Sequence, residues 1–262
     1  MKIIVLVKQV PDTTEIKIDK VTNTLIRTGV PNIINPDDLA GIEEALTLRE
    51  KYGGTVTVVT MGPPQAEKML MEIYARGVDK CYLLTDPKFA GSDTWATSKI
   101  LSSFISGLKY DLIIAGYQAI DGDTAQVGPQ IAAFLDIPQV THVSKILSST
   151  KQEIIVEKSY ENEVVVLGAQ LPALITALKT MNTPRFMNAF SIWSLENKEV
   201  IKITASDIRI DLNHIGLNGS PTRVKNTYTK ELSAKAPIEA LAPSDAAERI
   251  VRSVKPYLTE AN

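Results

Sequence analysis

"DLIIAGYQAIDGDTAQVGP" (Asp111–Pro129) joins a short apolar run to small and polar residues, and then leads into a second, helix-like apolar segment. Within Asp111–Gly116 the residues Leu112 to Ala115 are continuously apolar rather than alternating, which is how a strand buried on both faces reads. Strands of that kind belong to parallel sheets covered by helices. In an open sheet, ligands collect where strand ends hand over to helix starts, because helix N-termini point unbonded N–H groups into the crevice. The stretch therefore predicts an α/β fold and a binding crevice at one edge of its sheet.

Similar runs lie on either side: Ile3–Val7, Thr55–Met61, Lys80–Thr85 and Gln139–Ile146. Helical segments separate the first of them. Asp37–Tyr52 puts Leu39, Ile42, Leu46 and Leu48 on one face and stops at Gly53-Gly54. Gln65–Arg76 stops at Gly77, and Asp93–Leu108 follows Gly91-Ser92, which offers an N-cap. Strands alternating with helices predict a doubly wound, mostly parallel sheet. "EIKIDKVTNTLIRTG" (Glu15–Gly29) alternates around Thr22-Asn23 and reads as a small inserted hairpin. After Gln139 the pattern changes. "QEIIVEKSY" and "EVVVLGAQ" read as an antiparallel extension, Pro172–Lys179 as one more strand, and the segments 182–200 and 213–226 as irregular, with little periodicity. In the tail Pro243–Leu258, Ala246, Ala247, Ile250, Val251 and Val254 are helically spaced. We therefore expect an α/β domain over 1–225 and an arm over 226–262 whose helix packs on a partner subunit.

Composition removes several function classes. The 262 residues are 44% apolar with a net charge of −2, which argues against nucleic-acid binding and a membrane-surface role. The lone Cys81 lies in "KCYLLT", forms no internal disulfide and suits buried packing in a cytoplasmic chain. "MKIIVLVKQVPD" is cut short by Pro11 and reads as a first strand, with no membrane insertion expected. His142 and His214 have no ligand-spaced neighbours, so no metal site is expected. No G-x-S-x-G elbow, phosphate-binding P-loop or G-x-G-x-x-G turn occurs. Asp121 and Asp123 suit a turn better than a catalytic pair. No residue set reads as a catalytic acid, base or nucleophile.

Binding features remain. In "NPDD", Asn35 can cap, Pro36 suits the first helical position, and Asp37 and Asp38 suit the helix dipole; capping alone would account for all four. "TMGPPQ" brings Met61 and Gly62 to a strand end. In the loop after Gly116, Gly122 permits tight backbone, Asp123 or Thr124 caps the next helix, and the N–H groups of Thr124 to Val127 suit an anion. "GSDTWATS" opens another helix with Thr94 and Thr97. Lying at one sheet edge, these loops point together to a nucleotide-type ligand.

"VLVKQVPDT", "GVPNIINPDDLAGIEEAL", "VTVVTMGPPQAE", "GYQAIDGDTAQVGPQIAAFLDIPQVT" and "QLPALITALKTMNTPRF" occur in this order, and by them the chain closely resembles the β subunits of electron transfer flavoproteins. The resemblance implies an adenine nucleotide alpha hydrolase-like fold and a heterodimer with a flavin-bearing α subunit. It also implies a nucleotide site at Leu6, Asn35 to Asp38, Met61 and the loop from Gly116. That loop carries Tyr117, Gln118, Ala119 and Ile120, then Asp121, Gly122, Asp123 and Thr124, then Ala125, Gln126 and Val127. Ordinary members hold AMP there. Electron-bifurcating members hold a second FAD, through which electrons from NADH are divided between a low-potential and a high-potential acceptor. "NPDD", "DGDTAQVGP", "VPDT" and "GSDTWATS" resemble the second branch, and small residues leave room for a flavin ring. The resemblance then implies FAD as cofactor and NADH as donor. The acceptors would be an acyl-CoA dehydrogenase-type flavoenzyme and ferredoxin or flavodoxin, with oxidation of NADH an activity of the complex. In this reading Asp123 and Asn35 fix hydroxyls, and Thr94 and Thr97 lie near the flavin. The family's docking loop corresponds to about 184–200, with Phe190, Ile192, Trp193 and Leu195 as apolar anchors; Trp193 could instead be a core residue of the hairpin layer. Two other readings stand beside this one: an AMP-holding scaffold subunit, and a nucleotide-binding signalling protein of the same fold.

Overall fold

A computed structural model describes residues 1–12, 17–18, 25–26, 31–223 and 240–258. In chain order the elements are β1 (Lys2–Leu6), β2 (Gln9–Pro11), β3 (Lys17–Ile18), β4 (Leu25–Ile26), β5 (Asn32–Ile34), α1 (Pro36–Tyr52), β6 (Thr55–Met61), α2 (Glu67–Ala75), β7 (Lys80–Leu84) and α3 (Thr94–Ile105). There follow β8 (Leu112–Gly116), α4 (Val127–Leu135), β9 (Gln139–Ser149), β10 (Glu153–Ser159), β11 (Val164–Gln170), β12 (Ala173–Ala177), α5 (Ala189–Trp193), β13 (Ile201–Ile203), α6 (Gly216–Gly219) and α7 (Pro243–Leu258).

One nine-stranded sheet runs β11-β10-β9-β12-β8-β1-β6-β7-β13. Every pairing from β9 to β13 along that order is parallel, while β9–β10 and β10–β11 are antiparallel. The fold is thus the expected mostly parallel α/β sheet with a small antiparallel extension. Successive strand residues alternate between two cores. Ile3, Val5 and Ile114 pack with Ile42, Leu46, Leu70 and Ile73 from α1 and α2. Ile4, Leu6 and Ile113 pack with Ile100, Leu101 and Ile131 from α3 and α4. Each fully buried aliphatic side chain of this kind contributes roughly 1.5–3 kcal/mol, so burial of both faces explains the unbroken apolarity of the central strands. Cys81 is fully buried, and burial pushes its thiol well above the usual range.

The chain passes from β1 outward through β6 and β7, then returns to place β8 on the other side of β1. The order of the sheet therefore reverses between β1 and β8, and their carboxyl ends diverge. That is where an open α/β sheet forms its crevice.

Several local expectations need correction. The short strand β13, which lies between the two segments read as irregular and was not expected, pairs with β7. Asn35 precedes α1 but makes no side-chain cap bond. Asp93, not Ser92, caps α3, accepting the Ala96 N–H at 3.0 Å. Helix α4 begins only at Val127, after Gln126, so neither Asp123 nor Thr124 caps it. Within the inserted segment, the described residues Lys17–Ile18 pair antiparallel with Leu25–Ile26.

The chain divides into two units, Met1–Arg223 and Val224–Asn262. In the second, α7 leaves Ile250, Val251, Val254 and Tyr257 exposed. Among the described residues, no helix is long and apolar enough to cross a membrane.

Candidate functional site

Where β1 and β8 diverge, a cavity of about 390 Å³ opens, within the range of small-molecule pockets. Leu6, Val59, Met61, Leu101 and Ala115 give it an apolar floor; Thr94, Thr97, Gln118, Thr124 and Gln126 give it a polar wall. Gly128, in the first turn of α4, lies beside it. The first intrahelical bond of α4 runs from Gln130 N–H to Gln126 O, so the N–H groups of Val127 and Gly128 precede it and suit an anion.

Of the residues picked out from sequence, the structure brings together Leu6, Asp38, Met61, Thr94, Thr97, Gly116, Tyr117, Gln118 and Ala119, with Gly122, Thr124, Ala125, Gln126 and Val127. Asn35, Pro36, Asp37, Ile120, Asp121 and Asp123 are not on the wall. Sequence reasoning did not single out Val7, Lys8, Val59, Leu101 or Ala115 as wall residues. Their signal was position alone, since each sits at or near a strand end or, for Leu101, about two turns inside α3.

The "NPDD" segment is a clamp. Asn35 is completely buried; its Nδ2 donates to Gln118 O at 2.7 Å and its Oδ1 accepts the Ile120 N–H at 3.2 Å. Asp37 accepts the Lys179 N–H at 2.6 Å and the Gln118 N–H at 3.4 Å. Asp38 accepts the Lys8 N–H at 2.7 Å and the Gly116 N–H at 3.0 Å. These three side chains thus satisfy backbone groups that β1, β8 and β12 leave unpaired where they splay, groups that would otherwise be costly to bury. Asn35 is consequently engaged with the loop backbone and does not line the cavity. Asp123 is exposed and does not line the cavity.

Electrostatics follow from this geometry. Acidic residues beside a phosphate would repel it, yet few carboxylates here are free to do so. Asp121 is held by Lys8, whose Nζ lies 2.7 Å from both of its oxygens. Burial pushes the Asp38 carboxyl up to about 7, against the lowering effect of its hydrogen bonds. Burial likewise raises Asp37.

Gly116 is forced. A methyl there would stand 2.0 Å from Asp38 Oδ1 and 2.9 Å from the Asp38 nitrogen. At Gly122 nothing lies within 4 Å and the backbone is not left-handed. The left-handed residues of the loop are Asp123 (φ 48°) and Ala125 (φ 53°). Non-glycine residues in that region store strain of roughly 1–2 kcal/mol, and such strain gathers at ligand-binding loops. Ala125→Gly should therefore raise stability by up to about 1 kcal/mol in urea denaturation; a loss would mean that this backbone turn is not present. Tyr117 contacts His142 in a tilted arrangement, ring centroids 4.2 Å apart and planes at 44°, and burial and Lys158 hold the imidazole below its ordinary pKa.

On the segment expected to dock a partner, Phe186, Phe190 and Trp193 are exposed, the last at 83%. Trp193 is therefore not a core residue. Ile192 is also exposed, whereas Leu195 packs against the main core. The base of the segment is fixed on α1: the Arg185 Nε and Nη2 both lie 2.9 Å from Glu43 oxygens.

An electron transfer flavoprotein domain matches residues 22–208. The chain is 54% identical over 230 residues to the electron transfer flavoprotein subunit beta of Thermoanaerobacterium thermosaccharolyticum, covering 87% of this chain and 88% of that one. It is 48% identical over 255 residues to the subunit of the same name in Clostridium acetobutylicum, covering 97% and 98%. To the caffeyl-CoA reductase-Etf complex subunit CarD of Acetobacterium woodii it is 47% identical over 231 residues, covering 87% and 88%.

Proposed function

This chain belongs to the electron transfer flavoprotein family as a β subunit, and from that premise we propose that, paired with an α subunit, it carries electrons from NADH through an FAD held in the crevice between β1 and β8. The acceptors are an acyl-CoA dehydrogenase-type flavoenzyme and a low-potential carrier, ferredoxin or flavodoxin. The observation that carries this reading is the cavity itself. It has an apolar floor, a hydroxyl- and amide-bearing wall, an anion-suited helix start, and carboxylates already engaged by the clamp or by Lys8. Likeness to a subunit of a reductase–Etf complex supports the bifurcating form.

Those residues fit an adenylate-bearing cofactor. FAD, when bound, supplies the redox chemistry, and the chain supplies orientation and surroundings. The N–H groups of Val127 and Gly128 would bind phosphate oxygens. Thr94, Thr97, Thr124 and Gln118 would bind hydroxyls, in place of Asn35 and Asp123. Leu6, Met61 and Leu101 would keep water from the floor. AMP is the alternative occupant, favoured by a volume near the lower end of ligand pockets. The visible spectrum and extracted nucleotides of the purified heterodimer separate the two. Two flavins per dimer, both bleached by NADH without oxygen, support the proposal; one flavin and one AMP support the scaffold reading.

The exposed face of Phe186, Phe190 and Trp193 suits the docking of the dehydrogenase partner, since aromatic anchors dominate such contacts. Trp193→Ala is expected to slow electron transfer to that partner about tenfold while leaving the melting temperature unchanged. Equal rates in stopped-flow mixing would refute the docking role. The exposed apolar residues of α7 suit contact with the α subunit.

A further inference from the structure

Asp93 sits on the cavity wall immediately before α3. One of its carboxylate oxygens caps the helix, accepting the Ala96 N–H at 3.0 Å. Capping needs no more than that. The other oxygen accepts both the Thr222 N–H at 2.9 Å and the Thr222 hydroxyl at 2.7 Å. The Asp93 N–H donates to Ser220 Oγ at 2.8 Å, and the neighbouring wall residue Ser92 accepts the Gly216 N–H at 3.1 Å. Two adjacent wall residues therefore hold the segment 216–222, more than a hundred positions away in sequence. Burial raises the Asp93 carboxyl, but the hydrogen bonds it accepts from Ala96 and Thr222 outweigh that and keep it below the usual carboxylate range. Thr222 is the last but one residue of the first unit, which ends at Arg223, and it does not line the cavity.

We propose that Asp93 is a positioning residue that couples occupation of the cavity to the anchoring of Thr222, a hydrogen-bonded fixed point one residue before the end of the first unit. This rests on the reading that an adenylate-bearing ligand occupies the cavity. The coupling is mechanical. Thr94 and Thr97, in the first turn of α3, form part of the wall, and Asp93 fixes where that turn begins. A ligand that holds the turn in place also holds the carboxylate on which Thr222 is anchored. Linkage makes the effect reciprocal: whatever factor the ligand adds to the anchor, the anchor adds to ligand affinity.

Two substitutions separate coupling from mere structure. Thr222→Val removes the hydroxyl donor and keeps the side-chain shape. Asp93→Asn retains an oxygen to cap α3 and turns the second atom into a donor facing two donors. Both are to be measured in the full heterodimer, freed of nucleotide and titrated separately with AMP and FAD. We expect Thr222→Val to weaken binding of the resident nucleotide at least about fivefold, the lower end of ordinary coupling, and Asp93→Asn to weaken it further. In the wild type, hydrogen exchange at the Thr222 amide slows by a similar factor when nucleotide is added, and in both variants that slowing is lost. Wild-type affinity in Thr222→Val, or exchange at Thr222 indifferent to nucleotide, overturns the coupling while leaving the ligand assignment standing. Failure of the wild type to bind either AMP or FAD overturns both.

Discussion

Gly116→Ala is expected to cost about 3 kcal/mol or more of stability and to abolish nucleotide retention by the heterodimer. The added methyl would sit 2.0 Å from Asp38 Oδ1. Neither group can step aside. The carboxylate is fixed by the Lys8 and Gly116 N–H groups, and Asp38 itself lies in the first turn of α1. Accommodation means moving the end of β8 away from α1, which breaks the clamp joining β8 to β1 and leaves a buried carboxyl with unmet hydrogen bonds. Overpacking of this kind costs roughly 1–3 kcal/mol, and an unsatisfied buried group roughly as much again. Gly122→Ala is the control. It is six residues further along the same loop, with nothing near its Cβ and no left-handed backbone, and should change stability by less than about 0.5 kcal/mol. Urea denaturation and nucleotide content measured on both variants give the comparison. Equal behaviour of the two glycines would mean that the Asp38–Gly116 contact does not exist.

The contrast between these glycines shows what the sequence could and could not tell. Gly116 and Gly122 look alike in "GYQAIDGD", and turn chemistry favours the second. What distinguishes them is a carboxylate 78 positions earlier in the chain, and local pattern is blind to such a partner. Asn35 misleads for the same reason. An Asn before Pro and two acids reads as a cap, but its amide is drawn to the loop backbone at Gln118 and Ile120 instead. The strands, by contrast, were legible because burial on both faces leaves an unbroken apolar run. β13 was not, being three residues long with a lysine at its centre. The loops of the cavity could be read from their small and polar residues. Most of its floor could not, since Val59, Leu101 and Ala115 are indistinguishable in sequence from any other core residue.

Asp38 also makes stability depend on pH in an unusual direction. Its folded-state pKa is raised from 3.8 to about 7, chiefly by burial. The folded chain therefore keeps a proton that the unfolded chain has already released, and between roughly pH 4 and 7 its contribution to stability falls as pH rises. Above pH 7 both states are ionised and the contribution is flat. About three pKa units correspond to at most about 4 kcal/mol. Asp37, also raised by burial, acts in the same direction; Asp86 and Glu50, lowered by hydrogen bonds, act in the opposite one. The informative quantity is accordingly the difference between wild type and Asp38→Asn. The amide cannot ionise, but it sets a donor against one of the two N–H groups, at a cost of roughly 1–3 kcal/mol. The variant should be clearly the weaker at pH 5, and the gap should close or invert by pH 8. A difference constant from pH 4 to 8 would show that Asp38 is not buried as a charge beside the cavity. Because the carboxyl lines that cavity, an anionic ligand raises its pKa further, so nucleotide binding takes up a proton and tightens as pH falls through 7.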